Sequence, residues 1–153
     1  MIGSIDPSDI SVAVRIVEIQ RSAYAVEAEL IGFDGIPQLG ETVEEVRALT
    51  DMHWRGAFDD QELVGVIAWR VDDEVVDIDR LAVDPAHSRR GYGRRLVRTV
   101  PTGEITIVST GAENAPARSL YMREGFVHVG ETEVAPNIFL ANFRRDAARR
   151  PPM

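Results

Sequence analysis

The sequence predicts a single α/β domain, in which a mixed, mostly antiparallel central sheet carries helices on both faces. Three observations lead to this fold class. The length of 153 residues fits one ordinary domain. An apolar fraction of 44% and a charged fraction of 27% are typical of a globular chain. The periodicity gives the order helix, helix, three strands, helix, strand, helix, two strands, so one strand–helix–strand unit lies inside an otherwise antiparallel sheet.

The first two elements have the features of helices. Apolar side chains recur at helical spacing over residues 11–30, and either Asp9 or Ser11 would cap the first turn. Residues 31–40 are rich in Gly and Pro, which predicts a loop. Residues 42–49 predict a short second helix, because a threonine at the cap position precedes two glutamates in the first turn.

Three strand-like runs follow. They read HWRGAFDD, ELVGVIAWRV and EVVDIDRLAV and occupy residues 53–60, 62–71 and 74–83. Pairs of aspartates at 59–60 and 72–73 separate the runs as short turns, so we expect an antiparallel meander.

The strand–helix–strand unit begins after the meander. Residues 96–100 predict a helix and residues 105–110 a strand. Residues 114–125 predict another helix, with Asn114 as its N-cap, a proline in its first turn and Gly125 at its end.

The end of the chain predicts a hairpin and a tail. Residues 126–134 and 138–143 are the two strands of the hairpin. A polar, proline-ended stretch begins at Arg144 and is expected to fray. We therefore place one domain at residues 1–145 and a disordered tail at residues 146–153.

Composition excludes several kinds of site. There is no cysteine, which excludes disulfides, thiolate metal sites and cysteine nucleophiles. His53, His87 and His128 lie far apart in the sequence without metal-ligand spacing, so we expect no metal. No apolar run reaches the roughly 20 residues that span a bilayer, and the N-terminus lacks the features of a signal peptide. We therefore expect a cytoplasmic protein that does not bind membranes.

The stretch SRRGYGRRLV, residues 88–97, places four arginines around two glycines in a chain of net charge −8. It follows a strand that Pro85 breaks, and it leads into a helix. A strand, a glycine loop and a helix N-terminus together form an anion cradle, because successive N–H groups point into one concavity. A P-loop is excluded since the chain has no lysine, and a dinucleotide fingerprint is excluded since Leu96 stands where a third glycine is needed.

Two motifs make the chain resemble the GNAT superfamily of acyl-CoA-dependent N-acetyltransferases. The family has Gln/Arg-x-x-Gly-x-Gly/Ala after a strand that ends apolar-x-Val-x-Pro, and here LAVDP is followed by Ser88, Gly91 and Gly93. Ser88 departs from the usual Gln or Arg, so Arg89 or Arg90 would supply the charge instead. The second motif, Asn-x-x-Ala-x-x-Leu/Phe-Tyr-x-x-x-Gly-Phe, matches at full spacing. Its residues are Asn114, Ala117, Leu120, Tyr121, Gly125 and Phe126.

The resemblance implies a GNAT-like fold and acetyl-CoA as co-substrate. The strand before the loop is expected to splay from its neighbour, so that its free backbone groups hold the pantetheine arm, while the loop holds the pyrophosphate. The cofactor-binding residues that the resemblance implies are Leu81, Ala82, Val83, Ser88, Arg89, Arg90, Gly91, Tyr92, Gly93, Arg94, Asn114 and Arg118. For Asn114 a helix cap is a sufficient alternative role.

The resemblance also implies two catalytic residues. Tyr121 aligns with the tyrosine that protonates the leaving thiolate, although packing in the core would also explain it. Asp77 matches a position that serves some relatives as the base, and a solvated carboxylate on the strand is the competing interpretation. Asp77 and Asp79 share one face of the strand, but Asp79 beside Arg80 fits a structural ion pair equally well.

The acceptor is expected to be a small-molecule or peptide amine. By resemblance it would bind between residues 24–45 and the hairpin loop at residues 134–137. Aromatic and acidic side chains in the first of these segments suit a cation, although a solvated helix surface is the alternative. These side chains are Tyr24, Glu27, Glu29, Phe33, Asp34, Glu41, Glu44 and Glu45.

The remaining hypotheses concern function class and partners. A non-catalytic acyl-CoA-binding module is the alternative to an enzyme. The negative net charge argues against nucleic-acid binding through the arginine stretch. Trp54 and Trp69 are expected in the core or the walls of a cleft. A homodimer is possible by resemblance alone.

Overall fold

A computed structural model describes residues 1–148 of the chain. Over this range there are seven strands, four α-helices and two short 3-10 helices. The strands are β1 (Ile2–Ser4), β2 (His53–Asp59), β3 (Glu62–Asp72), β4 (Val75–Val83), β5 (Ile105–Gly111), β6 (Val127–Ala135) and β7 (Ile138–Arg145). The α-helices are α1 (Ile10–Ile31), α2 (Val43–Arg47), α3 (Tyr92–Val97) and α4 (Ala115–Arg123). The 3-10 helices are Pro37–Gly40 and Pro85–His87.

The seven strands form one sheet in the order β1-β2-β3-β4-β5-β7-β6. All neighbours pair antiparallel except β4 and β5, which are parallel and are joined by the crossover through α3. The predicted fold class, a mixed and mostly antiparallel sheet, is therefore confirmed, and so is the meander of β2, β3 and β4.

Two apolar layers cover the two faces of the sheet. On one face α1 and α2 pack through Ile16, Ile19 and Val46 against β2, β3 and the Ala82 end of β4. On the other face α3 and α4 pack against β3, β4, β5 and β7, and Leu96 is fully buried there. Helices on both faces agree with the prediction.

Local capping explains where the helices begin and end. The Asp9 carboxylate accepts from the N–H groups of the first turn of α1, so Asp9 is the cap, and Gly32 at φ 67° ends the helix. Thr42 forms a reciprocal capping box with Glu45 at the start of α2. Asn114 caps α4.

One residue of β4 has no counterpart on β3. Ala68 pairs with Arg80 while the next residue, Trp69, pairs with Ile78, so Asp79 is an inserted bulge residue. Ile78 is packed on the α3 and α4 side, whereas Arg80 contacts α1. Even-numbered residues of β4 therefore face α3 and α4 before the bulge, as Ile78 does, and face α1 after it, as Arg80 does.

The structure differs from the sequence predictions in several places. β1 was not predicted, because three residues are too few to show a period. The loop at residues 31–40 contains the 3-10 helix Pro37–Gly40, and α3 begins at Tyr92 rather than near Leu96. Arg144 lies in β7, so the chain is still ordered where fraying was predicted to begin. The predicted tail at 146–153 is described only as far as Ala148, whose N–H donates to the Thr102 carbonyl at 2.7 Å; residues 149–153 lie outside the described range.

No helix within residues 1–148 combines the length and the apolar character that a bilayer span requires.

Candidate active site

β4 and β5 separate halfway along their length. They pair only between Val75–Asp77 and Ile105–Ile107, although β4 continues to Val83 and β5 to Gly111. Beyond Asp77, β4 remains paired on its other side with β3, and β5 remains paired with β7. The sheet therefore opens into a V with Asp77 at its closed end, which is the splay that the resemblance implies.

A cleft of about 480 Å³ fills this opening. It is bounded by α1, the segment that follows α1, both diverging strands, α4 and the tip of the β6–β7 hairpin. Its side chains include Tyr24, Glu27, Phe33, Asp77, Asp79, Arg80, Leu81, Asn114, Tyr121 and Val134. Both predicted catalytic residues, and two of the residues expected to bind the cofactor, thus lie around one cavity.

Tyr121 lies on α4 between the apolar core and the cleft. Its ring packs edge-on against Phe126 at a centroid distance of 5.6 Å and also contacts Phe143. Its hydroxyl makes no hydrogen bond within residues 1–148. The hydroxyl is not fully enclosed, however, so it is accessible from the cleft. Burial raises the pKa of Tyr121 well above its usual range, and the nearby Glu27 carboxylate adds to the rise. The phenol is therefore protonated at neutral pH.

Asp77 lies at the closed end of the V. Partial burial raises the pKa of its carboxyl, and the negative charge of Asp79 raises it further, while Arg70 opposes the shift. Asp77 makes no ion pair within the described chain. Asp79, in contrast, is held 3.1 Å from Arg70 and 2.7 Å from Arg80. Of the two aspartates, Asp77 is the one whose oxygens are available to a ligand.

Arg80 is a buried cation, and the sequence predicted for it only an ion pair with Asp79. It has 5% of its surface exposed and donates to the carboxylates of Asp79 and Glu41 and to the amide oxygen of Gln20. Gln20 is fully buried on the apolar face of α1, and its amide also donates to Glu41. A glutamine at an apolar-face position of α1 is the signal in the sequence that points to this polar cluster.

Two residues of α1 reach the diverging strands. Tyr24 donates its hydroxyl to the Leu81 carbonyl of β4 at 3.5 Å, and burial raises its pKa far above the usual range. Glu27 accepts from the Thr110 hydroxyl at 3.1 Å and from the Gly111 N–H at 3.3 Å, both on β5. α1 therefore bridges the V by one hydrogen bond to β4 and two to β5.

The glycine loop after β4 has an unusual backbone. Arg89 at φ 63° and Gly91 at φ 79° are both left-handed, with Arg90 between them. Within residues 1–148, none of the N–H groups of residues 89–94 donates a hydrogen bond to the protein. Because the left-handed residues Arg89 and Gly91 alternate with Arg90, whose φ is not positive, successive N–H groups point toward one side. This is the geometry of an anion-binding nest.

The arginines near the loop have different surroundings. Arg90 lies 3.4 Å from Asp59, and Arg95 stacks on the ring of the buried Tyr92 while it donates to loop carbonyls. Arg89 and Arg94 are exposed and form no ion pair within the described chain. Arg118 donates to the Ala112 carbonyl at 2.8 Å, so its guanidinium is partly engaged in holding the turn before α4.

Other candidates from the sequence lie away from the cleft. Ala82 is buried toward α1, while Val83 faces α3 and α4. Trp54 and Trp69 are core residues, and His53 stacks on Trp69. Five of the acidic acceptor candidates do not line the cleft, and one of the five, Glu41, is neutralised by Arg80; the five are Glu29, Asp34, Glu41, Glu44 and Glu45. Within residues 1–148 no group of three His, Asp or Glu side chains is close enough to hold a metal.

Comparison with known protein families gives one clear match. Residues 50–128 match the family model described as an acetyltransferase (GNAT) domain. The matched range covers both motifs, the V between β4 and β5, and the whole of α4.

Individual relatives agree with this match. The UPF0157 protein YqkA of Bacillus subtilis (strain 168) is 34% identical over an alignment of 147 residues that covers 94% of this chain and 43% of that protein, so this chain spans less than half the length of this relative. The ribosomal-protein-S18-alanine N-acetyltransferase of Escherichia coli superimposes with a TM-score of 0.77 at 15% identity, over 99% of this chain and 96% of that one. YncA, a putative acetyltransferase of Salmonella typhimurium determined with acetyl-CoA, gives a TM-score of 0.73 at 15% identity, over 100% and 96%. At these identities the two structures show a shared fold.

Proposed function

This chain belongs to the GNAT family of acetyltransferases, and from that premise we propose that it moves the acetyl group of acetyl-CoA to a primary amine by direct attack in a ternary complex. The observation that carries the proposal is that two features lie along the same strand, β4. The free N–H groups of residues 89–94 follow the end of β4, and the V beside the same strand opens onto Tyr121 and Asp77.

The residues present fit acetyl-CoA. The N–H groups of residues 89–94 are unpaired donors suited to a diphosphate, and the exposed Arg89 and Arg94 add positive charge. The unpaired edge of β4 at Leu81, together with Asn114 across the cleft, would hold the pantetheine arm. When bound, acetyl-CoA supplies an activated acyl group and a thiol leaving group.

Tyr121 is proposed as the general acid. The raised pKa of the buried phenol keeps its proton in place until a thiolate leaves, and the hydroxyl has no competing acceptor in the described chain. Phe126 and Phe143 fix the ring, so the proton donor is held in one position.

Asp77 is proposed as the residue that receives the proton of the acceptor. Its oxygens are not engaged in an ion pair, and its pKa is raised, which makes it a stronger base than an ordinary aspartate. The acceptor amine is protonated at neutral pH and an ammonium ion has no free electron pair, so a carboxylate in the cleft would take up one proton before the amine attacks.

The charge of the cleft supports a cationic acceptor. Among residues 1–148, three carboxylates line it, those of Glu27, Asp77 and Asp79, together with one guanidinium, that of Arg80. Arg80 also pairs with Glu41 behind the wall, so its charge is already compensated. A small-molecule or peptide amine that enters as an ammonium ion meets a negative field.

The test is an acceptor screen read by release of free thiol from acetyl-CoA. The panel contains butylamine, 1,4-diaminobutane, tyramine, kanamycin and a peptide with N-terminal alanine. We expect thiol release above the rate without amine for at least one class, and a rise of the melting temperature on addition of acetyl-CoA. A rise of the melting temperature with no thiol release for any amine would favour a non-catalytic acyl-CoA-binding module instead. Absence of both would refute the proposal.

The remaining expectations stay predictions. These are a cytoplasmic location, the absence of nucleic-acid and membrane partners, and a homodimer. Retention on DNA at moderate salt would contradict the second, because binding to phosphates is the salt-dependent component of such complexes.

A further inference from the structure

Glu27 stands at the opposite end of the V from Asp77. Its Oε1 atom accepts from the Thr110 hydroxyl and the Gly111 N–H, which fixes the carboxylate against β5. Thr110 lies three residues beyond Ile107, the β5 partner of Asp77, and therefore about 10 Å farther along the strand. The cleft thus has one carboxylate at its closed end and another at its open end.

Glu27 is the carboxylate of this open end that has no counterion. It forms no ion pair within residues 1–148, and its second oxygen, Oε2, accepts no hydrogen bond there. Asp79, the other carboxylate beside the cleft on the α1 side, is compensated by Arg70 and Arg80. A half-buried carboxylate with a fixed orientation, one free oxygen and no counterion is suited to bind a cation from the cleft.

Two aromatic rings flank this carboxylate. Tyr24 precedes Glu27 by one helical turn on α1, and Tyr121 lies across the cleft; both rings line it. The negative charge of Glu27 also contributes to the raised pKa of both phenols. Tyr121 is the proposed acid beside the leaving sulfur, and Glu27 lines the same cleft, so Glu27 is a free carboxylate in the cavity where the reaction is proposed to occur.

We propose that Glu27 binds the ammonium group of the acceptor before the reaction, and that it thereby restricts the enzyme to amines that enter as cations. The inference rests on the proposed function and adds to it a residue that determines specificity. Glu27 holds the protonated amine beside Tyr121, one proton then passes to Asp77 at the closed end through water in the cleft, and the neutral amine attacks the thioester. The acceptor class that this arrangement selects is a primary alkylammonium with no carboxylate close to the amine.

The test is Glu27→Gln, because glutamine retains an Oε1 acceptor for Thr110 and Gly111 and removes only the charge. The matched control is Glu29→Gln, which makes the same charge change two residues later on the exposed part of α1. With butylamine as the probe acceptor, we expect the KM for the amine to rise roughly 10- to 100-fold in Glu27→Gln, the range for loss of a charge-assisted hydrogen bond. The kcat at saturating amine and the KM for acetyl-CoA should change little, and Glu29→Gln should match the wild type.

A binding measurement makes the inference independent of turnover. Butylammonium should raise the melting temperature of the wild type with acetyl-CoA present more than its neutral analogue 1-butanol does, and this difference should vanish in Glu27→Gln. An unchanged KM and an unchanged difference in the variant would overturn the role of Glu27 while acetyl transfer by the wild type stands. Failure of the wild type itself to release thiol with any amine of the panel would instead remove the proposed function, and the inference with it. A loss of kcat without a change in the amine KM would also contradict the inference, since it would make Glu27 part of the chemistry.

Discussion

Arg80 of β4 and Glu41, which lies just after the 3-10 helix Pro37–Gly40, form a two-point ion pair across the cleft wall. Both terminal nitrogens of the guanidinium donate to the carboxylate, and the Arg80 side chain is almost entirely enclosed. The pair fixes the segment between α1 and α2 to the sheet, because no other side chain of that segment forms an ion pair with β4 in the described chain. The wall of the cleft that this segment forms is therefore held to the sheet by a buried ion pair.

The first prediction concerns the stability that this pair provides. Arg80→Ala should lower the free energy of unfolding by about 3–5 kcal/mol, because it leaves Glu41, Asp79 and Gln20 without their shared donor in a buried place. Urea denaturation measures the effect. Arg70→Ala is the control, since Arg70 is 40% exposed and its pairs with Asp51 and Asp79 should be worth about 1 kcal/mol or less. Equal losses in the two variants would contradict the assignment.

The second prediction concerns Tyr121. Tyr121→Phe keeps the packing against Phe126 and Phe143 and removes only the proton donor, so kcat should fall at least about 100-fold while the KM for acetyl-CoA changes little. Steady-state kinetics on the best acceptor of the panel gives both values. Tyr24→Phe removes the other hydroxyl of the cleft, whose bond to Leu81 is long, and should reduce kcat less. A Tyr121→Phe enzyme with wild-type kcat would assign the proton to another group.

The third prediction separates activity from stability at Asp77. Because burial and Asp79 raise its pKa in the folded state, the protein gains stability from Asp77 below the carboxyl's ordinary pKa and loses it as the pH rises through the folded value. At neutral pH, Asp77→Asn should therefore melt at the same or a slightly higher temperature than the wild type. It should also turn over more slowly and lose the acidic limb of the kcat/KM profile. A variant that is both less stable and equally active would contradict both roles.

The fourth prediction concerns alkaline pH. Burial raises the pKa values of Tyr24 and Tyr121, so the folded protein keeps phenolic protons that the unfolded chain releases above pH about 10. The free energy of unfolding should therefore decrease as the pH rises above about 10. Urea unfolding across that range measures the slope. The double variant Tyr24→Phe/Tyr121→Phe should have a shallower slope, and an identical slope would mean that neither phenol is perturbed.

The fifth prediction concerns the loop. Gly91→Glu and Gly93→Glu should each abolish the rise in melting temperature that acetyl-CoA causes, because they place a carboxylate beside the N–H groups assigned to the diphosphate. A Cβ atom at Gly93 would lie 3.4 Å from Leu120, an ordinary contact, so that variant should fold. Gly91 has open space but a φ of 79°, which costs about 1–2 kcal/mol for any other residue. Gly103→Glu, with equal charge and open space, is the control. Full stabilisation by acetyl-CoA in both loop variants would refute the assignment.

The elements that sequence analysis predicted well are those with strong local signals. α1 was expected over residues 11–30 and runs Ile10–Ile31, and the aspartate turns at 59–60 and 72–73 are where the meander turns. Asp60 and Asp73 adopt φ values of 54° and 48°, a backbone that aspartate tolerates better than most residues. Capping, periodicity and turn chemistry are local properties, so one sequence is enough to reveal them.

The features that were missed depend on contacts between distant parts of the chain. Glu41 finds Arg80 across 39 residues, and Glu27 finds Thr110 across 83. The sequence around these residues contains no motif that would predict either pair. Glu27 is identified as the free carboxylate of the open end because Asp79 and Glu41 are neutralised by arginines. The pair between Arg80 and Glu41 joins distant parts of the chain, so only the three-dimensional structure reveals it.

The extra residue in β4 determines which side of the sheet Arg80 faces. With regular alternation, Arg80 would share a side with Val76 and Ile78, and its charge would enter the apolar layer under α3 and α4. Deletion of Asp79 would instead leave Arg80 paired with Ala68 and Ile78 paired with Trp69 in regular alternation, so both side chains would keep the sides they have now. We therefore expect a protein that lacks Asp79 to keep the ion pair between Arg80 and Glu41, and a protein whose β4 is regular at its present length to lose it.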